Sequence, residues 1–217
     1  MKRILTSTLL AMLFCLGASA QDIIITGVFD GTLTGGTPKV VEFYVINNIS
    51  DLSTYGFGSA NNGGGTDGEE FTFPVQAVTA GTYLYLSTTT ADFNTYFGFN
   101  PDFTDLSASI NGDDAVELFH NGVAVDVFGD INMSGAGTPW HYTDGWAYRN
   151  DMGTTSTTFT ATDWNYSGID ANDGITSNAV AITPFPIGTY SNGSSSSVVV
   201  HNISVGGGAN AFTPSSI

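Results

Sequence analysis

The stretch Ala115-Val-Glu-Leu-Phe-His-Asn-Gly-Val-Ala-Val-Asp-Val-Phe128 decides the fold class. Two alternating runs rich in β-branched and aromatic residues flank Asn121-Gly122, and Asn-Gly supplies the two positive-φ positions of a two-residue type I′ turn. The reading is a tight antiparallel hairpin. Closure over two residues pairs His120 with Val123, Leu118 with Val125 and Val116 with Val127, which predicts one apolar face turned to the core. On the other face it sets Phe119 opposite Ala124 and Glu117 opposite Asp126.

Outward from the hairpin, short runs of the same kind recur between clusters of Gly, Asn, Asp, Thr and Ser. Strands are predicted at Ile23 to Phe29, Val40 to Asn47, Glu70 to Phe73 and Thr82 to Ser87, besides Ala115 to His120 and Val123 to Phe128. Thr90 to Phe97 reads as a single short helix, with Thr90 as N-cap, Asp92 in the first turn and Phe93 and Phe97 four apart. Many short strands and at most one short helix predict an all-β sandwich over residues 21–190. From Pro139 to Tyr190 the pattern is less regular. Trp140, Trp146, Tyr148, Trp164 and Tyr166 there have two readings, rings that cap the sandwich core or an exposed carbohydrate platform.

The first twenty residues read as an export signal, with Lys2 and Arg3 ahead of an apolar stretch from Leu9 to Leu16 and Ala18-Ser19-Ala20 as cleavage site. The expectation is a mature chain that begins at Gln21, is secreted or held at the cell surface, and has no membrane span. Phe14 stands before Cys15, where a lipid-anchoring signal requires a small residue, so Cys15 belongs to the discarded signal. Ser191 to Ser197 reads as a flexible linker, and 198–217 as the truncated start of a second β domain.

Signal removal takes away two of the four basic residues and none of the twenty acidic ones. Lys39 and Arg149 remain, for a formal charge of −18. Such a surface repels phosphate backbones, so no direct nucleic-acid binding is expected. With no mature cysteine there are no disulfides and no thiol nucleophile. No Gly-x-Ser-x-Gly elbow is present, and His120 and His141 are not spaced as a zinc site. The glycine-rich Asn61 to Gly68 lies between strands, not ahead of a helix, and reads as a turn.

Oxygen donors for calcium are plentiful: Asp67, Glu69 and Glu70; Asp102 and Asp105; Asp113 and Asp114; Asp170, Asn172 and Asp173. None keeps the Asp-x-Asp-x-Asp-Gly spacing of a calcium loop. The like charges of Glu117 and Asp126 leave two readings. Both project into water and repel weakly, or a calcium ion bridges them with help from Asp113 or Asp114.

The ordered series Val40-Val-Glu-Phe-Tyr-Val-Ile-Asn47, Asp51-Leu-Ser-Thr-Tyr-Gly56, Val78 to Ser87, Asn111-Gly-Asp-Asp-Ala-Val-Glu-Leu118 and Asp126-Val-Phe-Gly129 resembles successive strands of the bacterial lamin-tail domain. The resemblance covers about Asp22 to Tyr190. It implies an immunoglobulin-like sandwich in an exported protein, without catalytic residues of its own, that binds an unknown protein, cell-surface or matrix partner or presents neighbouring domains. Ile110 to Arg149 resembles in particular the variant found beside secreted non-specific DNA/RNA endonucleases, which implies the alternative role of accessory domain in a nuclease system. The tail from Val198 resembles the opening of a plastocyanin-like domain, whose copper ligands come much later, so His201 is not read as a metal ligand.

Overall fold

A computed structural model of the chain describes residues 21–193. The predicted export signal with Cys15, most of the predicted serine-rich linker and the 198–217 tail with His201 lie outside the described residues. Ten strands form the body: β1 Ile23–Leu33, β2 Thr37–Val45, β3 Tyr55–Ala60, β4 Phe71–Thr72, β5 Tyr83–Ser87, β6 Phe103–Thr104, β7 Ala115–His120, β8 Val123–Phe128, β9 Trp146–Arg149 and β10 Trp164–Tyr166. They make a six-stranded sheet in the order β10-β9-β1-β2-β5-β6 and a four-stranded sheet in the order β4-β3-β7-β8. The two sheets pack as an all-β sandwich.

Alternation along β2 shows how the sequence builds this. Val41, Phe43 and Val45 point between the sheets, where they meet Phe57, Val116, Leu118 and Phe128. Val40 points the other way, into a second cluster with Ile24, Phe29, Tyr148 and Phe185. The six-stranded sheet is therefore covered on both faces, which accounts for strands apolar at nearly every position. At about 1.5–3 kcal/mol per fully buried large apolar side chain, these two clusters are the main favourable term of folding.

The outer cover comes from the one helix and a C-terminal strap. Helix α1, Thr90–Phe97, buries Phe93 and Tyr96 and ends at Gly98, whose φ of 84° is the left-handed cap glycine favours. Its N-cap is Thr89 rather than Thr90: the Thr89 hydroxyl accepts from Asp92 N–H at 3.4 Å. The strap, 185–190, lays Phe185 on Phe29 and Tyr148. Gly27 lies beneath it, where an added Cβ would stand 2.6 Å from the Phe185 ring.

The hairpin forms with its predicted turn, Asn121 and Gly122 at φ 51° and 74°. Its register departs from the predicted one. His120 pairs with Val123 and Phe119 with Ala124, but a bulge then inserts Val125, so that Leu118 faces Asp126, Glu117 faces Val127 and Val116 faces Phe128. One extra residue exchanges the faces of everything beyond it. Asp126 and Phe128 turn inward, Val127 turns outward, and the predicted opposition of Glu117 and Asp126 does not occur.

Four strands were not anticipated. β3 is Tyr55-Gly-Phe-Gly-Ser-Ala, and glycine disfavours strands. Here the glycines occupy the outer face, where loop 61–70 lies directly on the sheet; a Cβ on Gly58 would stand 2.3 Å from the Gly68 carbonyl oxygen. The others, β6, β9 and β10, are two to four residues long.

Candidate functional site

Buried charge is where this fold is unusual, and it sits on both faces of the six-stranded sheet. On the inner face Asp126 is fully buried and meets Arg149 from β9, Nη2 to Oδ2 at 2.7 Å. The same oxygen accepts from Ile25 N–H at 2.9 Å, and Oδ1 accepts from Ser156 N–H at 2.9 Å. Arg149 in turn donates from Nε to the Ile25 carbonyl at 2.6 Å and from Nη1 to the Thr154 carbonyl at 3.1 Å, and lies 4.4 Å over the Trp164 ring. Burial still pushes the Asp126 carboxyl upward, against the pull of Arg149.

Lys39 makes the other ion pair, with Asp30, which also accepts from Asp144 N–H at 3.2 Å. Desolvation outweighs the lysine and raises Asp30 to about 6. Both cations of residues 21–217 are thus committed inside the fold. Apart from His120 and His141, the described surface offers no side chain that can carry positive charge.

On the outer face Glu42 is buried with no cation in contact. Oε1 accepts from Tyr148 Oη at 2.7 Å and Thr26 Oγ1 at 2.8 Å, and Oε2 accepts from Gly188 N–H at 2.7 Å. Tyr148 Oη also accepts from Thr189 N–H at 3.1 Å and Tyr190 N–H at 2.8 Å, so its proton is directed to Glu42. Desolvation raises Glu42 to about 7, in spite of the three donors. Sequence reasoning missed this group. The signal was available, since in Val40-Val-Glu-Phe-Tyr-Val both alternating sets are otherwise apolar, and a carboxylate in such a run must be buried.

The predicted calcium residues separate. Asp126 belongs to Arg149. Glu117 lies on the outer face of the four-stranded sheet, hydrogen-bonded by Thr66 and near Asp67, with Oε2 enclosed and unpartnered. Asp113 accepts from Ser134 Oγ, and Asp114 accepts from Asn62 N–H at 2.7 Å and Asn111 N–H at 3.1 Å. These two carboxylates hold loops together. Among the described residues no three His, Cys, Asp or Glu side chains converge to hold a metal ion.

The histidines are placed structurally. His120 stacks flat on Tyr55, ring centroids 4.4 Å apart, and His141 Nε2 lies 2.7 Å from Thr143 Oγ1 while Nδ1 accepts from Gly137 N–H at 3.4 Å. Of the five aromatics, Trp140, Tyr148 and Trp164 are buried and belong to the core, as rings that cap it would. Trp146 and Tyr166 line an open depression of about 650 Å³ with Asn150, Asp151, Asn165 and Thr189. Much of its polar capacity is spent internally: Asn165 donates to Asn150 at 2.7 Å, Asn150 to the Thr162 carbonyl at 3.0 Å, and Asp151 accepts from Ser191 N–H at 2.8 Å. None of the described helices is long and apolar enough to cross a membrane. No family model, no curated protein and no solved structure matches the chain.

Proposed function

We propose that this chain is an exported, non-catalytic β-sandwich module, of the lamin-tail type that its strand motifs resemble, which binds a protein or cell-surface partner and presents the segments that follow it. The observation that carries the reading is the fate of the ionisable groups. Lys39, Arg149, Asp126, Glu42 and Asp114 are all consumed in hydrogen bonds that hold strands and loops together. A general base or nucleophile must stand free at a cleft to meet a substrate, and these do not. What remains at the surface is acidic, which suits a partner bearing positive charge and repels nucleic acid.

Two measurements test this. Purified protein beginning at Gln21 is expected to leave plasmid DNA intact with magnesium present. A reporter fused after Ile217 is expected to stay at the cell surface in the intact chain and to be shed when residues 21–190 are deleted. Magnesium-dependent plasmid degradation, or an unchanged reporter location, overturns the reading.

A further inference from the structure

We infer that Glu42 is a proton-dependent latch for the C-terminal strap: the strap is held shut when the carboxyl is protonated and is released as it ionises. The argument begins with which elements meet there. Glu42 stands in β2, in the middle of the six-stranded sheet, and Thr26 of β1 and Tyr148 of β9 reach it from the same face. The remaining partner is Gly188 of the strap. Through Tyr148 the carboxyl also governs the amides of Thr189 and Tyr190. Three consecutive strap amides therefore reach Glu42 or the hydroxyl bonded to it, that of Thr189 sharing its proton with the Pro186 carbonyl at 3.2 Å.

The strap has a natural point from which to lift. Asn178 clamps Phe185 twice, with Oδ1 accepting from Phe185 N–H at 2.8 Å and Nδ2 donating to its carbonyl at 2.9 Å. Beyond that clamp, Pro186 to Tyr190 is held by the three amide bonds, by Tyr83 Oη on the Tyr190 carbonyl and by Tyr190 Oη donating to the Gly153 carbonyl at 2.9 Å.

The site accepts both protonation states without moving a heavy atom. Thr26 Oγ1 lies 2.8 Å from Glu42 Oε1 and 3.3 Å from the Glu42 backbone carbonyl oxygen. With the carboxylate ionised the hydroxyl donates to Oε1; with it protonated, Oε1 donates to the hydroxyl, which turns its own proton to the carbonyl. What changes is the solvation cost. The other titratable groups facing Glu42 are Tyr148 from β9 and Tyr83 and Tyr85 from β5, and burial raises all three, so they stay neutral at physiological pH. From α1 the packed side chains are Phe93 and Tyr96, and its acid, Asp92, accepts from Thr37 instead. Lys39 and Arg149 are paired elsewhere. An ionised Glu42 thus has neutral donors alone for company, and lifting the strap gives it water.

Amide hydrogen exchange on the intact mature protein tests the latch. A carboxyl near 7 when covered and 4.5 when exposed makes strap opening about 50- to 100-fold more favourable at pH 8 than at pH 5. After correction for intrinsic exchange, that loss of protection is expected at Gly188, Thr189 and Tyr190. Val116 and Leu118 in the four-stranded sheet exchange through global unfolding, so they are expected to stay more protected than the strap at both pH values. Glu42→Gln, close to the protonated side chain in shape, is expected to flatten the strap's response. Strap protection independent of pH, strap amides as well protected as Val116 and Leu118, or a slope that persists in Glu42→Gln each overturns the inference.

Discussion

Asp126 and Glu42 are both fully buried carboxylates, Glu42 on the outer face of the six-stranded sheet and Asp126 reaching its inner face from β8 of the facing sheet, and the protein handles them in opposite ways. Asp126 has Arg149 at 2.7 Å, whose guanidinium also donates to two carbonyls and lies over an indole face. Glu42 has hydroxyls and an amide. With a permanent cation beside it, a carboxylate can remain charged and rigid, and the two sheets are tied together through it: Asp126 of β8 accepts from Ile25 of β1 and from Arg149 of β9. Without a cation, charge and burial compete, and protonation decides whether the outer cover is stable. Residues 21–217, with two cations against twenty acids, can compensate few buried sites in the first way. The cations were spent on Asp30 and Asp126, and Glu42 was left to neutral donors.

The largest effect is expected from removing the cation. Arg149→Leu leaves Asp126 buried without its partner, and the Ile25 and Thr154 carbonyls without a donor. Breaking one side of a buried pair costs about 3–5 kcal/mol. Urea unfolding at pH 7 should show a midpoint lowered accordingly; a loss under 1 kcal/mol would mean that Asp126 reaches water and that the two carboxylates are not so different.

Next in size is the pH response. Burial raises Glu42 from 4.5 to about 7, so the folded state binds its proton more tightly than the unfolded chain does. Its contribution is fully present below about pH 4.5 and is lost as pH rises through 7. Stability should therefore fall between pH 5 and pH 8 by about 2–3 kcal/mol on account of Glu42. Asp30, raised to about 6, acts in the same sense. Urea titrations at the two pH values check this: Glu42→Gln should lose most of the slope, and Arg149→Leu should retain it.

Tyr148→Phe should cost about 2 kcal/mol, since in one step it strips the Tyr190 N–H of its acceptor, leaves the Thr189 N–H only the Pro186 carbonyl at 3.2 Å, and deprives Glu42 of a donor. The ring and its contact with Phe185 remain. Thermal unfolding of the variant at pH 5, where Glu42 is neutral, measures the hydroxyl alone. No change there would mean that the strap amides find other partners.

How much of this was legible in the sequence depends on the range of the interaction that fixes each feature. The Asn121-Gly122 turn and the helix at Thr90–Phe97 are set by residues a few places apart, and both formed where predicted. The Val125 bulge is set by what Asp126 reaches, Ile25 and Arg149, at sequence separations of 101 and 23. Local alternation cannot register such partners, so it sent Asp126 to the wrong face. β3 was hidden for a similar reason: Gly56 and Gly58 disfavour a strand until loop 61–70 is seen lying on them. Arg149 was the easier residue to miss and the easier to find, because with only two cations in residues 21–217 each one is a candidate for a buried acid.

The smallest expected effect concerns Glu117, the hairpin's other acid, and it bears on whether a cation is needed there too. Glu117 is buried with Oε2 unpartnered, and desolvation and Asp67 push its carboxyl upward while Thr66 opposes them. Like Glu42 it has no cationic partner, but it lies on the outer face of the four-stranded sheet, beneath loop 61–70. Replacing it with Gln keeps the shape and removes a charge that nothing nearby compensates. The substitution is expected to be neutral or to stabilise by up to about 1 kcal/mol at pH 8, where desolvation of the charged form is felt. Asp126→Asn, by contrast, strands the Arg149 guanidinium and should cost several-fold more in the opposite direction. Urea midpoints of the two variants in buffer without divalent ions, and again with calcium, decide the matter. If calcium raises the midpoint of the wild type and Glu117→Gln abolishes that gain, then Glu117 holds a cation after all, and the contrast between paired and unpaired carboxylates would narrow to Glu42 alone.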